Sequence, residues 1–202
     1  MIFGDWIEYT KQVLNFAGHG YVYFCPIYIP QKKIDKAEQI DKKIIEKYPM
    51  CEWGKDKKYR AKKMGMANFI YLRWNTNGII MHTAGNVPEV KDPDRWNHLD
   101  RVAYELPIGP WIKIKIGKAR TGKKYTAYLT KESYRNIKAL LCENIAHRRW
   151  DEFIKHYHRL ENLPAFSGML TQMNGLYRSC LGEIKRYKGK ITLEKLTLKK
   201  VF

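Results

Sequence analysis

The stretch NFIYLRWNTNGIIMHTA, Asn68–Ala84, decides how the rest of the chain is read. Two apolar, β-branched and aromatic runs flank Asn75-Thr76-Asn77-Gly78, whose Asn-Gly supplies the positive φ that a tight hairpin requires. With Trp74 opposite Ile79, one face carries Ile70, Leu72, Trp74, Ile79 and Met81. The other carries Phe69, Tyr71, Arg73, Ile80 and His82, because successive strand residues point to opposite sides. Helices must then cover part of this sheet.

Working outward toward residue 1, Tyr21–Ile29 reads as a strand, with Pro26 favouring an edge or a bulge. Before it, Asp5–Ala17 places Trp6, Ile7, Val13, Leu14 and Ala17 at helical spacing and is closed by Gly18 and Gly20. After it, Ile34, Ala37, Ile40, Ile44, Ile45 and Tyr48 mark a helix that Pro49 terminates. Glu52–Lys63 is charged without periodicity and reads as a basic, mobile loop.

On the other side of the hairpin, Asp92-Pro93-Asp94 is a helix start, since Asp caps free amides and Pro at the first helical position forfeits no needed donor. Trp96, Leu99, Val102 and Leu106 would be that helix's buried stripe. A second hairpin follows, WIKIKIG (111–117) and KYTAYLT (124–130), both alternating. With Gly117 opposite Thr126, Ile112, Ile114, Ile116, Tyr125, Ala127 and Leu129 share an apolar face. Trp111, Lys113, Lys115, Thr126 and Tyr128 share the other. From Thr130, an N-cap, the pattern is helical. Its stripes are Tyr134, Ile137, Leu140, Leu141 and Ile145, then Trp150, Phe153, Ile154, Tyr157 and Leu160, then Met169 through Ile184. Ile191–Phe202 is a last strand or an arm.

The order strand, helix, strand, strand, helix, strand is the split βαβ of ferredoxin-like folds. The expected class is α+β, with a ferredoxin-like or related antiparallel sheet core and a helical C-terminal layer. The division expected is an α+β sheet domain with the basic hairpin, 1–130, and a helical region with a basic tail, 131–202, packed on the same core. Ferredoxin-like architecture serves RNA-recognition modules, RNA-processing enzymes and nicking domains alike, so it does not select a function.

Charge narrows the function. Of 202 residues, 38 are Lys or Arg and 20 are Asp or Glu, a net charge of +18 spread through a foldable sequence. Such a surface repels itself unless a polyanion neutralises it, which points to DNA or RNA, and to protein subunits of a nucleoprotein complex as further partners. A basic face meeting an acidic protein is a third class. No membrane is expected, since the longest uncharged apolar run, Tyr21–Ile29, is far short of the roughly 20 residues a spanning helix needs. MIFGDWIEYTKQ does not resemble a secretory signal. The expected location is intracellular and cytoplasmic, or at a nucleoid or nucleus. Cys25, Cys51, Cys142 and Cys180 are too scattered for a disulfide framework or a zinc knuckle.

The second hairpin is the leading binding element, with Trp111, Lys113, Lys115, Lys118, Arg120, Lys123, Lys124 and Tyr128 as contacts. Arg73 on the first hairpin and Lys185, Arg186 and Lys188 near the C-terminus complete the set. Gly117–Lys124, GKARTGKK, nearly spells a P-loop, yet Lys124 stands where Ser or Thr would ligate Mg²⁺ and a strand follows. His156-Tyr157-His158 mimics a two-histidine metal site, but on a helix its imidazoles point about 200° apart. No catalytic residue is assigned and no cofactor is expected. The alternative is a nuclease or nickase of replication or mobile-element type, using His82, Tyr134 as nucleophile, Lys138 and a bound Mg²⁺ or Mn²⁺. Asp92, Asp94 and Asp100, with Glu89 or Glu105, are the acids that could hold such an ion.

Overall fold

Asn75, with φ +50, turns the first hairpin more tightly than the Asn-Gly pair would. In this computed structural model, which describes residues 1–90, 94–119, 122 and 124–200, β3 (Phe69–Trp74) and β4 (Asn77–Thr83) pair with Trp74 opposite Asn77 and Leu72 opposite Ile79. The register is thus two residues from the expected one. A shift of two leaves every side chain on its predicted face, whereas a shift of one would have exchanged them. Gly78 serves packing: a Cβ there would stand 3.2 Å from Tyr71 Oη.

Around this hairpin the sheet is ordered β1-β3-β4-β2-β5, from β1 (Ile2–Phe3), β2 (Tyr21–Tyr28) and β5 (Asn97–His98). β1 runs parallel to β3, and the other pairings are antiparallel. Among the described residues β5 pairs only with Tyr23 and Phe24, so there β2 has an open edge at Pro26, where the missing N–H costs no ladder bond. On one face lies α1 (Trp6–Gly18), burying Tyr9, Val13 and Ala17 at four-residue spacing. On the other, Tyr48, Met50, Ala67, Phe69, Tyr71 and Ile80 form a core beside α2 (Ala37–Lys47).

Two expected elements are corrected. The helix over 94–106 does not form; the segment holds β5, a turn and β6 (Tyr104–Pro107). Asp92 and Pro93, the expected cap, lie outside the described residues. Long-range partners override the local pattern here: Trp96 packs edge-on against Tyr48, Phe69 and His82, and Tyr104 Oη meets Tyr9 Oη at 2.8 Å. Val102, expected on the buried stripe, is exposed. Without this helix the split βαβ order is incomplete, and what stands is an α+β protein with a mixed five-stranded sheet and a three-stranded antiparallel one. Second, the expected loop at 52–63 is mostly α3 (Lys55–Lys63).

The three-stranded sheet is ordered β6-β7-β8, with β7 (Lys113–Lys118) and β8 (Tyr125–Leu129) forming the second hairpin. Thr130 N donates to Lys113 O at 2.9 Å and Ala119 N to Lys124 O at 2.7 Å. Both bonds sit on the register expected from Gly117 opposite Thr126. Beyond it run α4 (Lys131–Ala146), α5 (Trp150–Arg159) and α6 (Ser167–Arg186). Thr130 caps α4 as expected, accepting from Ser133 N. The tail is an arm: Leu193, Leu196 and Leu198 are buried, and Lys199 bridges to Pro164.

The chain folds as two compact units, Met1–Tyr104 with Ile116–Tyr125, and Glu105–Lys115 with Thr126–Phe202. Residue 130 remains an element boundary, but the units part within the second hairpin. Among the described residues, no helix is long and apolar enough to cross a membrane.

Candidate nucleic-acid interface

In the second unit, alternation along β7 separates buried Ile114 from Lys113 and Lys115. Lys113 is exposed and Lys115 half-buried, and Trp111, just before the strand, is 82% exposed. Lys115 lies directly opposite Tyr128 in this register, and its Nζ stands 5.9 Å from the Tyr128 ring centroid. Neither lysine has a carboxylate within ion-pair distance among the described residues.

This face is narrower than alternation alone implies. The start of α6 covers one end: Ser167 Oγ and Gly168 N lie 2.9 and 3.1 Å from Thr126 Oγ1, and Thr126 is buried. A Cβ on Gly168 would fall 2.5 Å from Ala127 O and 2.6 Å from the Tyr128 ring, so only glycine permits the approach. Tyr128 is therefore half-buried. Farther along, the Gln172 amide donates to Leu129 O at 3.0 Å and accepts from Leu129 N at 2.8 Å, closing the outer edge of β8 as a neighbouring strand would. What stays open is Trp111, Lys113 and Lys115, with part of Tyr128.

The other expected contacts scatter. Lys118, in the first unit, reaches Asp100 at 2.7 Å, and Tyr125 Oη donates to the same carboxylate at 2.6 Å. Those two bonds hold the Asp100 carboxyl below its ordinary pKa. Lys124 is exposed; Arg120 and Lys123 lie outside the described residues. Lys185, Arg186 and Lys188 are exposed at the end of α6, where cations also complement the helix dipole.

Arg73 leaves the set of phosphate contacts. It is 7% exposed and its guanidinium grips Asp41 of α2, Nε at 2.9 Å from both carboxylate oxygens and Nη2 at 2.8 Å from Oδ2. Tyr71 Oη donates to the same Asp41 at 2.7 Å. Burial and that bond drive the Tyr71 phenol far above its ordinary pKa.

The residues of the cleavage alternative are placed as follows. His82 is 4% exposed, stacked between Tyr23 and Phe69, with Nδ1 2.7 Å from Thr83 O and Nε2 without a hydrogen-bond partner among the described residues. Burial lowers its pKa. Tyr134 belongs to the second unit, on α4, and burial raises its phenol pKa, opposing the phenolate a nucleophile needs. Lys138, one turn on, is exposed. Of the acids, Asp94 is taken by Tyr48 Oη at 2.7 Å and Lys47 at 2.9 Å. His156 and His158 sit on α5 around buried Tyr157, and GKARTGKK leads into β8, not into a phosphate-binding helix. The four cysteines are unpaired.

Residues 52–63 carry no hydrophobic periodicity, but they are dense in charge: six of the nine residues of α3 are cations. No protein-family model matches the chain, and no curated protein sequence matches it.

Proposed function

We propose that this protein binds nucleic acid, DNA or RNA, as a component of a nucleoprotein assembly, and that the face bearing Trp111, Lys113, Lys115 and Tyr128 is a contact surface. The observation that carries the reading is the open cationic face itself: two lysines with no carboxylate partner among the described residues, beside a Trp that folding leaves in water. The charge excess divides evenly, nine in each unit, so the second unit needs a counter-charge of its own. Phosphates supply that charge, and indole and phenol rings offer stacking surfaces for unpaired bases.

The test is binding of labelled single strands and duplexes of DNA and RNA across a salt series. Lys113→Gln with Lys115→Gln removes two phosphate contacts, so the slope of log affinity against log salt should fall by roughly 1.4 on single strands and 1.8 on duplex. Unchanged affinity and slope in a folded double variant would remove this face from the binding surface.

A further inference from the structure

Helix α3 is more basic than its fold requires. Lys55, Lys57, Lys58, Arg60, Lys62 and Lys63 share nine residues with one acid, Asp56. None of the six has a carboxylate within ion-pair distance among the described residues. Like charges recur three and four apart at Lys55/Lys58, Lys57/Arg60, Lys58/Lys62 and Arg60/Lys63, a spacing that destabilises a helix. Lys55, Lys57 and Lys58 also crowd the N-terminal half, where the helix dipole disfavours cations.

Only Ala61 is buried, so α3 is not held by an apolar stripe. It is held by its main chain. Gly65 (φ +74) donates to Lys62 O at 3.1 Å and Met66 N to Ala61 O at 3.0 Å, the paired bonds of a left-handed helix stop. Asn86 N donates to Gly65 O, Ala67 N donates to Asn86 O, and the Asn68 amide donates to Lys58 O. The backbone is fixed to the segments flanking β3 and β4 while the side chains, buried Ala61 and half-buried Lys58 aside, remain in water.

Tyr59 is 61% exposed, so folding makes little use of its ring. Helical spacing places Lys55, Lys62 and Lys63 around it, at four before and at three and four after. Lys63 Nζ stands 4.7 Å from the Tyr59 ring centroid. All four residues are exposed. α3 lacks the apolar face that seats an amphipathic helix in a bilayer, so a membrane surface would engage its lysines by charge alone. A polyanion that also brings flat rings matches both halves of this surface, because phosphates answer the lysines and an unpaired base can stack on the phenol.

We infer that the Lys55–Lys63 helix is a second, separate contact surface for single-stranded nucleic acid, with phosphates on Lys55, Lys62 and Lys63 and a base on Tyr59. It rests on the nucleic-acid reading given above but uses other residues, in the other unit.

The experiment measures the full chain binding labelled oligo(dT) and oligo(U) across a salt series, with Lys55→Gln/Lys62→Gln/Lys63→Gln, Tyr59→Ala and Lys113→Gln/Lys115→Gln compared in parallel. The triple variant should lower the salt slope by roughly 2 and weaken binding at low salt. Tyr59→Ala should weaken single-strand binding at least roughly fivefold while leaving duplex binding unchanged. Thermal unfolding should be no lower in the triple variant, since it relieves repulsion. If the wild type and the β7 variant behave as expected while both α3 variants bind like the wild type, the α3 surface falls and the proposed function stands. If the wild type binds no strand at all, both fall together. If the triple variant loses polyglutamate or anionic vesicles as much as oligo(dT), and Tyr59→Ala changes nothing, α3 is a general anion patch and the single-strand assignment is wrong.

Discussion

Two strands of this protein carry the same motif with opposite outcomes. β3 alternates Phe69, Tyr71 and Arg73 on one face; the β7 hairpin alternates Trp111, Lys113 and Lys115. In β3 the aromatics are core and the cation is locked to Asp41, whereas around β7 the Trp and Lys113 stand in water. Alternation of aromatic and cation thus identifies a face without telling whether it is covered. The deciding residue for β3 is Asp41, 32 positions away and buried on α2. A carboxylate there turns a potential phosphate ligand into a packing element, and β7 has no counterpart among the described residues.

The most direct way to break this comparison is to remove the carboxylate. Asp41→Asn leaves the Arg73 guanidinium buried without its counter-charge, and should cost about 3–5 kcal/mol in urea unfolding. Nucleic-acid affinity of the molecules that remain folded should not rise. A cost under about 1 kcal/mol would mean that water reaches Arg73 and that the two strands differ less than their geometry shows.

A smaller effect is expected where β8 meets α6. Gly168→Ala places a methyl against Ala127 O and the Tyr128 ring, so helix or ring must shift, costing about 1–3 kcal/mol. Because the shift uncovers part of Tyr128, single-strand affinity should hold or improve while stability drops. Loss of both together would show that the packing of α6 builds the contact face.

On the open face the two observables separate. Trp111→Ala should change unfolding by no more than about 0.5 kcal/mol, yet cost roughly 1–3 kcal/mol in single-strand binding. A large fall in melting temperature would place Trp111 with Phe69 and Tyr71 as packing.

The mildest probe concerns acid. Burial holds the folded-state pKa of His82 below the ordinary 6.5, so the folded protein binds fewer protons than the unfolded chain. Stability from this group is complete above that value and is lost as pH falls through it. Urea midpoints between about pH 8 and about pH 5 should fall less in His82→Gln than in wild type. Equal falls would assign the acid sensitivity elsewhere.

Sequence by itself determined the features set by local sterics. Pleat alternation assigned both hairpins' faces, including the Lys115–Tyr128 pair, and the period of 3.6 located the three helices after Thr130, with Thr130 as the cap of the first. The first hairpin's register slipped because Asn75 takes the positive φ that was expected of Asn77-Gly78. Only tertiary structure decided the rest. Residues 94–106 gave up a plausible helical stripe for Trp96 and Tyr104 contacts with rings far back in the chain. Lys55–Lys63, with no periodicity to read, became a helix through main-chain bonds to the segments around the sheet hairpin. Asp41, placed among solvated charges by its neighbours, was drawn inside by Arg73 and Tyr71. Local geometry is written in adjacent residues, but whether a face is covered depends on groups far apart in the chain, and no local pattern encodes that meeting.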